Sequence, residues 1–103
     1  MPFNLKVGCC SLRFNLYNIK SIKDKRRIVR TIKDRVKNKF NISIAEIGNQ
    51  DKKDSLYIGI GAVSSDARYL NGLMNQVINF IDTMYLVDMA DHHIEIIHLD
   101  HGS

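Results

Sequence analysis

Along the chain the spacing of apolar residues switches between a period of two and a period of three to four, and each switch marks an element. Over residues 5–16, Cys10, Leu12, Phe14 and Leu16 alternate with Cys9, Ser11, Arg13 and Asn15, the pattern of a half-buried strand. Over 22–39 the period changes. Ile28, Val29, Ile32, Val36 and the following Phe40 recur at three- and four-residue steps, with Ile22 close to the same stripe, which predicts an amphipathic helix. Ser21 is placed to cap it, and Asp24 puts negative charge at its positive end. Ile42, Ile44 and Ile47 predict a second strand ending at Gly48, and the polar run over 48–55 predicts a turn. Over 56–63, Leu56, Ile58, Ile60 and Ala62 alternate with Tyr57, Gly59, Gly61 and Val63 as a third strand. Ser65 or Asp66 can cap a second helix whose stripe is Leu70, Leu73, Met74, Val77, Ile78 and Ile81. Residues 93–99 predict a fourth strand.

The resulting order, βαββαβ, predicts a ferredoxin-like α+β fold, a four-stranded antiparallel sheet with both helices on one face. The 103 residues are read as a single domain, 1–103, with 98–103 as a mobile tail. A chain of this size buries a modest core and leaves little room for a deep catalytic cavity. With 45% hydrophobic and 25% charged residues it has the composition of an ordinary globule. It shows no apolar run of ~20 residues for a membrane span. The opening MPFNLKVGCCSLRF lacks the apolar stretch and cleavage site of a signal peptide, so the expectation is a cytoplasmic protein with no membrane partner.

Charge changes this picture more than composition does. Residues 20–39 hold ten of the fifteen Lys and Arg against only Asp24 and Asp34, while residues 40–103 hold three bases and nine acids. The formal +4 therefore describes a cationic helix on a mildly acidic body, which favours anionic partners and orients their approach. At 100° per residue, Lys23, Arg26, Arg30, Lys33 and Lys37 fall within about 80° of one another, with Arg27 at the margin. Cations along one line suit phosphate contacts, because each one neutralised releases counterions. The alternative is a solvated helix face, although such faces usually mix signs at four-residue steps and these five positions hold no acid. The site expected for nucleic acid is thus Lys23, Arg26, Arg27, Arg30, Lys33 and Lys37.

Lys25 stands apart, since its angular position lies inside the apolar stripe. A lysine there must snorkel or pair with a carboxylate. Glu46 shares strand parity with Ile42 and Ile44 and is the expected partner in an ion pair at the rim of the core, unless a bulge before Ile47 turns it outward. No nucleophile or second acid accompanies the pair, so catalysis is not expected, and neither is a small-molecule substrate.

The sheet face opposite the helices should carry Cys9, Ser11, Ser43, Ala45, Tyr57, Gly59, Gly61 and Glu95. RNA-recognition motifs of this topology stack bases on two or three strand aromatics, and only Tyr57 is available. The small residues suit close approach of another backbone. A homodimer through this face, at Tyr57, Gly59 and Gly61, or through a sheet edge is one expectation, and a flat wet face is the other. Cys9 and Cys10 are neighbours on a strand and point to opposite sides, which suits packing better than a disulfide. His92, His93, His98 and His101 make no zinc spacing, and IGIG lacks the third glycine of a dinucleotide loop. No metal and no cofactor is expected.

The segments SIKDKRRIVRTIKDRVKNKFNISIAEIGNQD and IGIGAVSSD are similar to the YlxP-like family of small bacterial proteins of unknown function. There a Ser-Leu-Lys-(Glu/Asp)-Lys-Arg segment opens the first helix, matched here by Ser21 to Arg26. An Asn-Val-Ser-Val-Ala-Glu-Val-Gly strand is matched by Asn41 to Gly48, and Gln-Asp by Gln50 and Asp51. Ile58 to Ile60 and Val63 to Asp66 match the last two motifs. The chain departs from that pattern at Lys52 and Lys53, at Tyr57 and in the terminal HLDHGS. The resemblance implies a ferredoxin-like fold with no established activity. It also implies a ribosome-linked role, because genes of the family often lie near those for translation initiation and ribosome maturation. The expected protein is a small non-enzymatic factor that contacts RNA or the ribosome through its first helix. The alternative is a homo-oligomeric module that binds a protein or ligand through the open sheet face.

Overall fold

Each period-two run becomes a strand and each period-3.6 run a helix in the structure, a computed structural model that describes residues 2–84 and 86–101. The elements are β1 (Lys6–Asn15), α1 (Ile22–Lys39), β2 (Ser43–Gly48), β3 (Ser55–Ser64), α2 (Ala67–Asp82) and β4 (Asp88–His98). The sheet has the order β2-β3-β1-β4, with every neighbouring pair antiparallel. α1 packs on β2 and α2, while α2 packs on β1, β3 and β4, so one face of the sheet is covered and the other is open. This is the ferredoxin-like α+β arrangement.

Both helix starts are held by side-chain caps. Ser21 Oγ accepts from the Asp24 N–H at 3.1 Å, and Asp66 Oδ1 accepts from the N–H groups of Arg68 and Tyr69 at 2.9 and 3.3 Å. Such caps satisfy amides that have no partner within the helix. α1 stops where Phe40 turns extended, and the Phe40 ring meets Phe80 of α2 edge-on with centroids 5.6 Å apart, a preferred aromatic geometry. Between sheet and helices lies the core. Leu12, Phe14, Leu56 and Ile58 from the strands meet Ile32, Val36, Met74, Val77 and Ile81 from the helices, all essentially inaccessible.

Three local departures from the period-two pattern position the surfaces that matter. Glu46 pairs with Ile58 and Gly48 with Tyr57, so Ile47 is the extra residue of a bulge. Glu46 therefore keeps its helix-side parity rather than turning outward, Ile47 stays on the open face that it shares by parity with Ser43 and Ala45, and Gly48 is the residue brought round to that face, opposite Tyr57. β4 starts at Asp88, five residues before the predicted strand, because pairing with β1 sustains a stretch, DMADH, that has no alternation of its own. A second bulge there leaves Ala90 unpaired between Met89 and Asp91.

The third departure is the predicted tail. Leu99 donates to the Leu5 carbonyl at 2.7 Å, and Phe3 and His101 exchange both backbone bonds at 2.7 and 2.9 Å. Lys6 Nζ reaches both carboxylate oxygens of Asp100 at 2.7 and 2.8 Å, and the Phe3 and His101 rings stack at 5.3 Å. Residues 99–101 thus continue the β1–β4 ladder instead of trailing from it. The last part of that expectation, 102–103, lies outside the described residues. Among those described, no helix is long and apolar enough to cross a membrane.

Candidate functional site

α1 sorts its cations onto two flanks. Arg35 and Lys39 lean over Phe80 of α2, with Cζ and Nζ at 6.0 and 4.7 Å from the ring centroid, a cation–π geometry. That fixes the flank turned toward α2. Val29, Ile32 and Val36 face the core. Lys23, Arg26, Arg30, Lys33 and Lys37 then lie round the helix on the flank away from α2, above the outer edge of β2, with Arg27 on the crest. All are exposed except Lys33, which is half-buried. Among the described residues none of the six takes part in an ion pair, the pairs being Lys6–Asp100, Lys25–Glu46 and His98–Asp100. From Lys23 to Lys37 the row extends about 21 Å at 1.5 Å per residue.

Lys25 belongs to neither flank. It is 1% exposed, and its ammonium donates to the carbonyls of Asn49 and Lys52 at 2.6 Å each. Glu46 Oε2 lies 3.3 Å from the same nitrogen but accepts no aligned hydrogen bond and has no other partner. The contact with Glu46 is therefore Coulombic, while the two carbonyls take the directional bonds. Bound this way, Lys25 ties the first turn of α1 to the β2–β3 turn, where Lys52 N–H closes onto Asn49 O at 3.0 Å. The ammonium is occupied and turned inward, which describes a structural cation rather than a catalytic base.

Cross-strand register sorts the open face into rows. Ser43, Gly61, Cys9 and Glu95 form one row, and Ala45, Gly59, Ser11 and His93 form the next. Together they floor an open depression of about 480 Å³. On one side runs an apolar row, Val63, Val7 and Ile97, in which Val63 is 67% exposed. On the other side lies the row Tyr57, Arg13 and Asp91. Tyr57, Gly59 and Gly61 thus share this face, yet the two glycines differ. A Cβ at Gly59 would lie 2.8 Å from Ile47 Cγ2, whereas one at Gly61 would meet nothing closer than the Gly8 carbonyl at 3.9 Å. Gly59 is small because Ile47 of the same chain lies across it. The exposed apolar residues Val63, Ile97 and Ile47 were absent from the sequence-derived face. Strand parity already placed all three there, Val63 with Tyr57, Ile97 with Glu95, and Ile47 with Ser43 and Ala45.

Both cysteines are free thiols. Cys9 lines the open depression and Cys10 the core. Burial pushes the Cys10 thiol up to about 11, partly offset by the His93 backbone. Among the described residues no cluster of three or more His, Cys, Asp or Glu could hold a metal ion.

Comparison with known proteins agrees with this architecture. Residues 7–94 match the model of a family described as protein of unknown function, DUF503. The chain is 39% identical over 77 residues to the uncharacterized protein YlxP of Bacillus subtilis (strain 168), covering 75% of this chain and 84% of that protein. Among solved structures, the de novo designed protein Ferredog-Diesel superposes with a TM-score of 0.50 at 8% identity, over 86% of this chain and 83% of its own. The designed protein Foldit4 gives 0.47 at 13% identity, over 91% and 94%. The first of these likenesses bears on the fold alone.

Proposed function

We propose that this chain, which belongs to the DUF503 family of proteins of unknown function, is a non-enzymatic cytoplasmic factor that docks on RNA through the outer flank of α1. The observation that carries this reading is the row Lys23, Arg26, Arg30, Lys33 and Lys37, which is turned away from α2 and has no carboxylate in ion-pair contact among the described residues. A row about 21 Å long suits a linear polyanion better than a single phosphate group, which would call for a converging cluster. Tyr57 lies on the opposite face of the sheet, away from the row. Contacts of this kind go to the phosphate backbone and position the protein without reading sequence. The ribosome, as a dense display of structured RNA backbone, fits such a surface.

Titration of a structured RNA at several salt concentrations tests the proposal. With four to five phosphates neutralised, affinity should fall about a hundredfold between 50 and 200 mM salt. Arg26→Glu with Arg30→Glu should abolish binding. Arg35→Ala with Lys39→Ala, on the flank held by Phe80, should change it far less. Binding indifferent to salt, or full binding by the Arg26/Arg30 variant, would refute the reading.

A further inference from the structure

The sheet ends in two open edges, β2 and β4, and its hydrogen-bond alternation shows which backbone groups each one presents. Bonded pairs recur at every second residue of an antiparallel ladder. Leu99 bonds to Leu5 and His101 to Phe3, so the odd-numbered residues of β4 from Asp91 onward turn their amides to β1. The amides of His92, Ile94, Ile96 and His98 point outward. On β1, Leu16 donates to Asp54 at 2.9 Å, and the same counting through β3 leaves Ile44 and Glu46 outward on β2. Among the described residues, the one outward amide of β4 with a side-chain acceptor is the His92 N–H, on Asp91 Oδ1 at 2.9 Å.

Charge separates the two edges. β2 runs beneath the cationic flank of α1, so pairing two β2 strands would press two such flanks together. From residue 88 to 101 β4 and its continuation carry no Lys or Arg, and of their acids Asp100 is held by Lys6. We propose that β4 pairs with β4 of a second copy of this chain, antiparallel about a two-fold axis through Ile94, to give one continuous sheet of eight strands.

The register follows from the side chains. A two-fold axis normal to the sheet sets residues of like parity opposite one another. Centred on His93, it would oppose Glu95 to the second copy's Asp91; centred on Glu95, it would oppose Glu95 to itself. Like charges directly opposite are destabilising. Centred on Ile96, Glu95 would face Ile97 with no counter-group. Centred on Ile94, His93 of each copy faces Glu95 of the other, an imidazole donor against a carboxylate, twice by symmetry. Ile94 then exchanges backbone bonds with its own copy, and the Ile96 N–H donates to the His92 carbonyl, while the His92 N–H passes from Asp91 Oδ1 to the Ile96 carbonyl. The helices of both copies cover the same face, with the cationic flanks at the two far ends.

Sedimentation equilibrium over about 1–300 µM tests this pairing. The chain should dimerise, and His93→Glu or Glu95→Lys alone should weaken the dimer at least about tenfold. The combined variant, which sets a lysine against a glutamate across the axis, should recover it. Both positions are exposed, so thermal melting should stay close to that of the parent. Ile96→Pro, which removes an outward N–H, should also weaken association. A monomer over the whole range, a dimer indifferent to the charge changes, or a dimer broken by Gly61→Ile on the open face would each overturn the proposal.

Discussion

The buried ammonium of Lys25 donates to the Asn49 carbonyl across 2.6 Å, so the first turn of α1 holds the β2–β3 turn in place. Asn49 itself stands at φ 53, in the left-handed region that asparagine tolerates better than most residues, and its amide donates to Ser55 Oγ at 3.1 Å. The β2–β3 turn is thus built around a cation supplied by the helix.

Lys25→Met should therefore destabilise the fold by about 3 kcal/mol, because it leaves the Glu46 carboxylate without its cation and two carbonyls without their donor. Adding Glu46→Leu should return part of that loss, since apolar replacement of both charges removes the buried carboxylate. Urea unfolding of the single and double variants measures both effects. A single variant within about 0.5 kcal/mol of the parent, an ordinary surface-substitution effect, would mean that water substitutes for the ammonium.

The two glycines of β3 should respond differently to the same methyl group. Gly59→Ala brings a Cβ within 2.8 Å of Ile47 Cγ2 and should cost about 1 kcal/mol, a typical overpacking effect where the neighbour can shift. Ile47→Ala should relieve it in a double-mutant cycle. Gly61→Ala meets only an ordinary contact at 3.9 Å and should be neutral or slightly stabilising. Thermal melting distinguishes the pair.

Cys9 and Cys10 should separate by chemistry although they are adjacent. At pH 8 Cys9 on the open face should react with an aromatic disulfide reagent, while Cys10 reacts only on unfolding. Stability should also fall at high pH. The thiol's ordinary value is 9.0 and the folded one is about 11. Between these the unfolded chain has given up a proton that the folded chain retains. The contribution of Cys10 to stability is thus complete below pH 9.0 and falls as the pH rises toward about 11. Cys10→Val should remove that part of the decline, as read from unfolding curves across the alkaline range.

Apolar spacing alone yields the element order, and Ser21 and the Ser65–Asp66 pair mark both helix starts, because caps and periods are local properties of consecutive residues; the structure uses Asp66 of that pair. Charge counting on an ideal helix places Lys23, Arg26, Arg30, Lys33 and Lys37 in one row and turns Lys25 away from it. The inward parity of Glu46 is equally local. Tertiary structure decided the rest. Nothing along the chain says that Lys25 binds the carbonyls of Asn49 and Lys52, since those acceptors arrive only when the β2–β3 turn folds back over the helix. The segment over 88–92 lacks alternation, and its strand character comes from β1 lying alongside, while residues 99–101 are held by backbone bonds to Leu5 and Phe3. Gly48 comes to lie opposite Tyr57 through a bulge at Ile47 that only the register of two strands defines. Local patterns record what each residue does within its own helix turn or strand. Pairing partners distant in sequence determine which edge amides stay open, which glycine is filled and which cations remain unpaired.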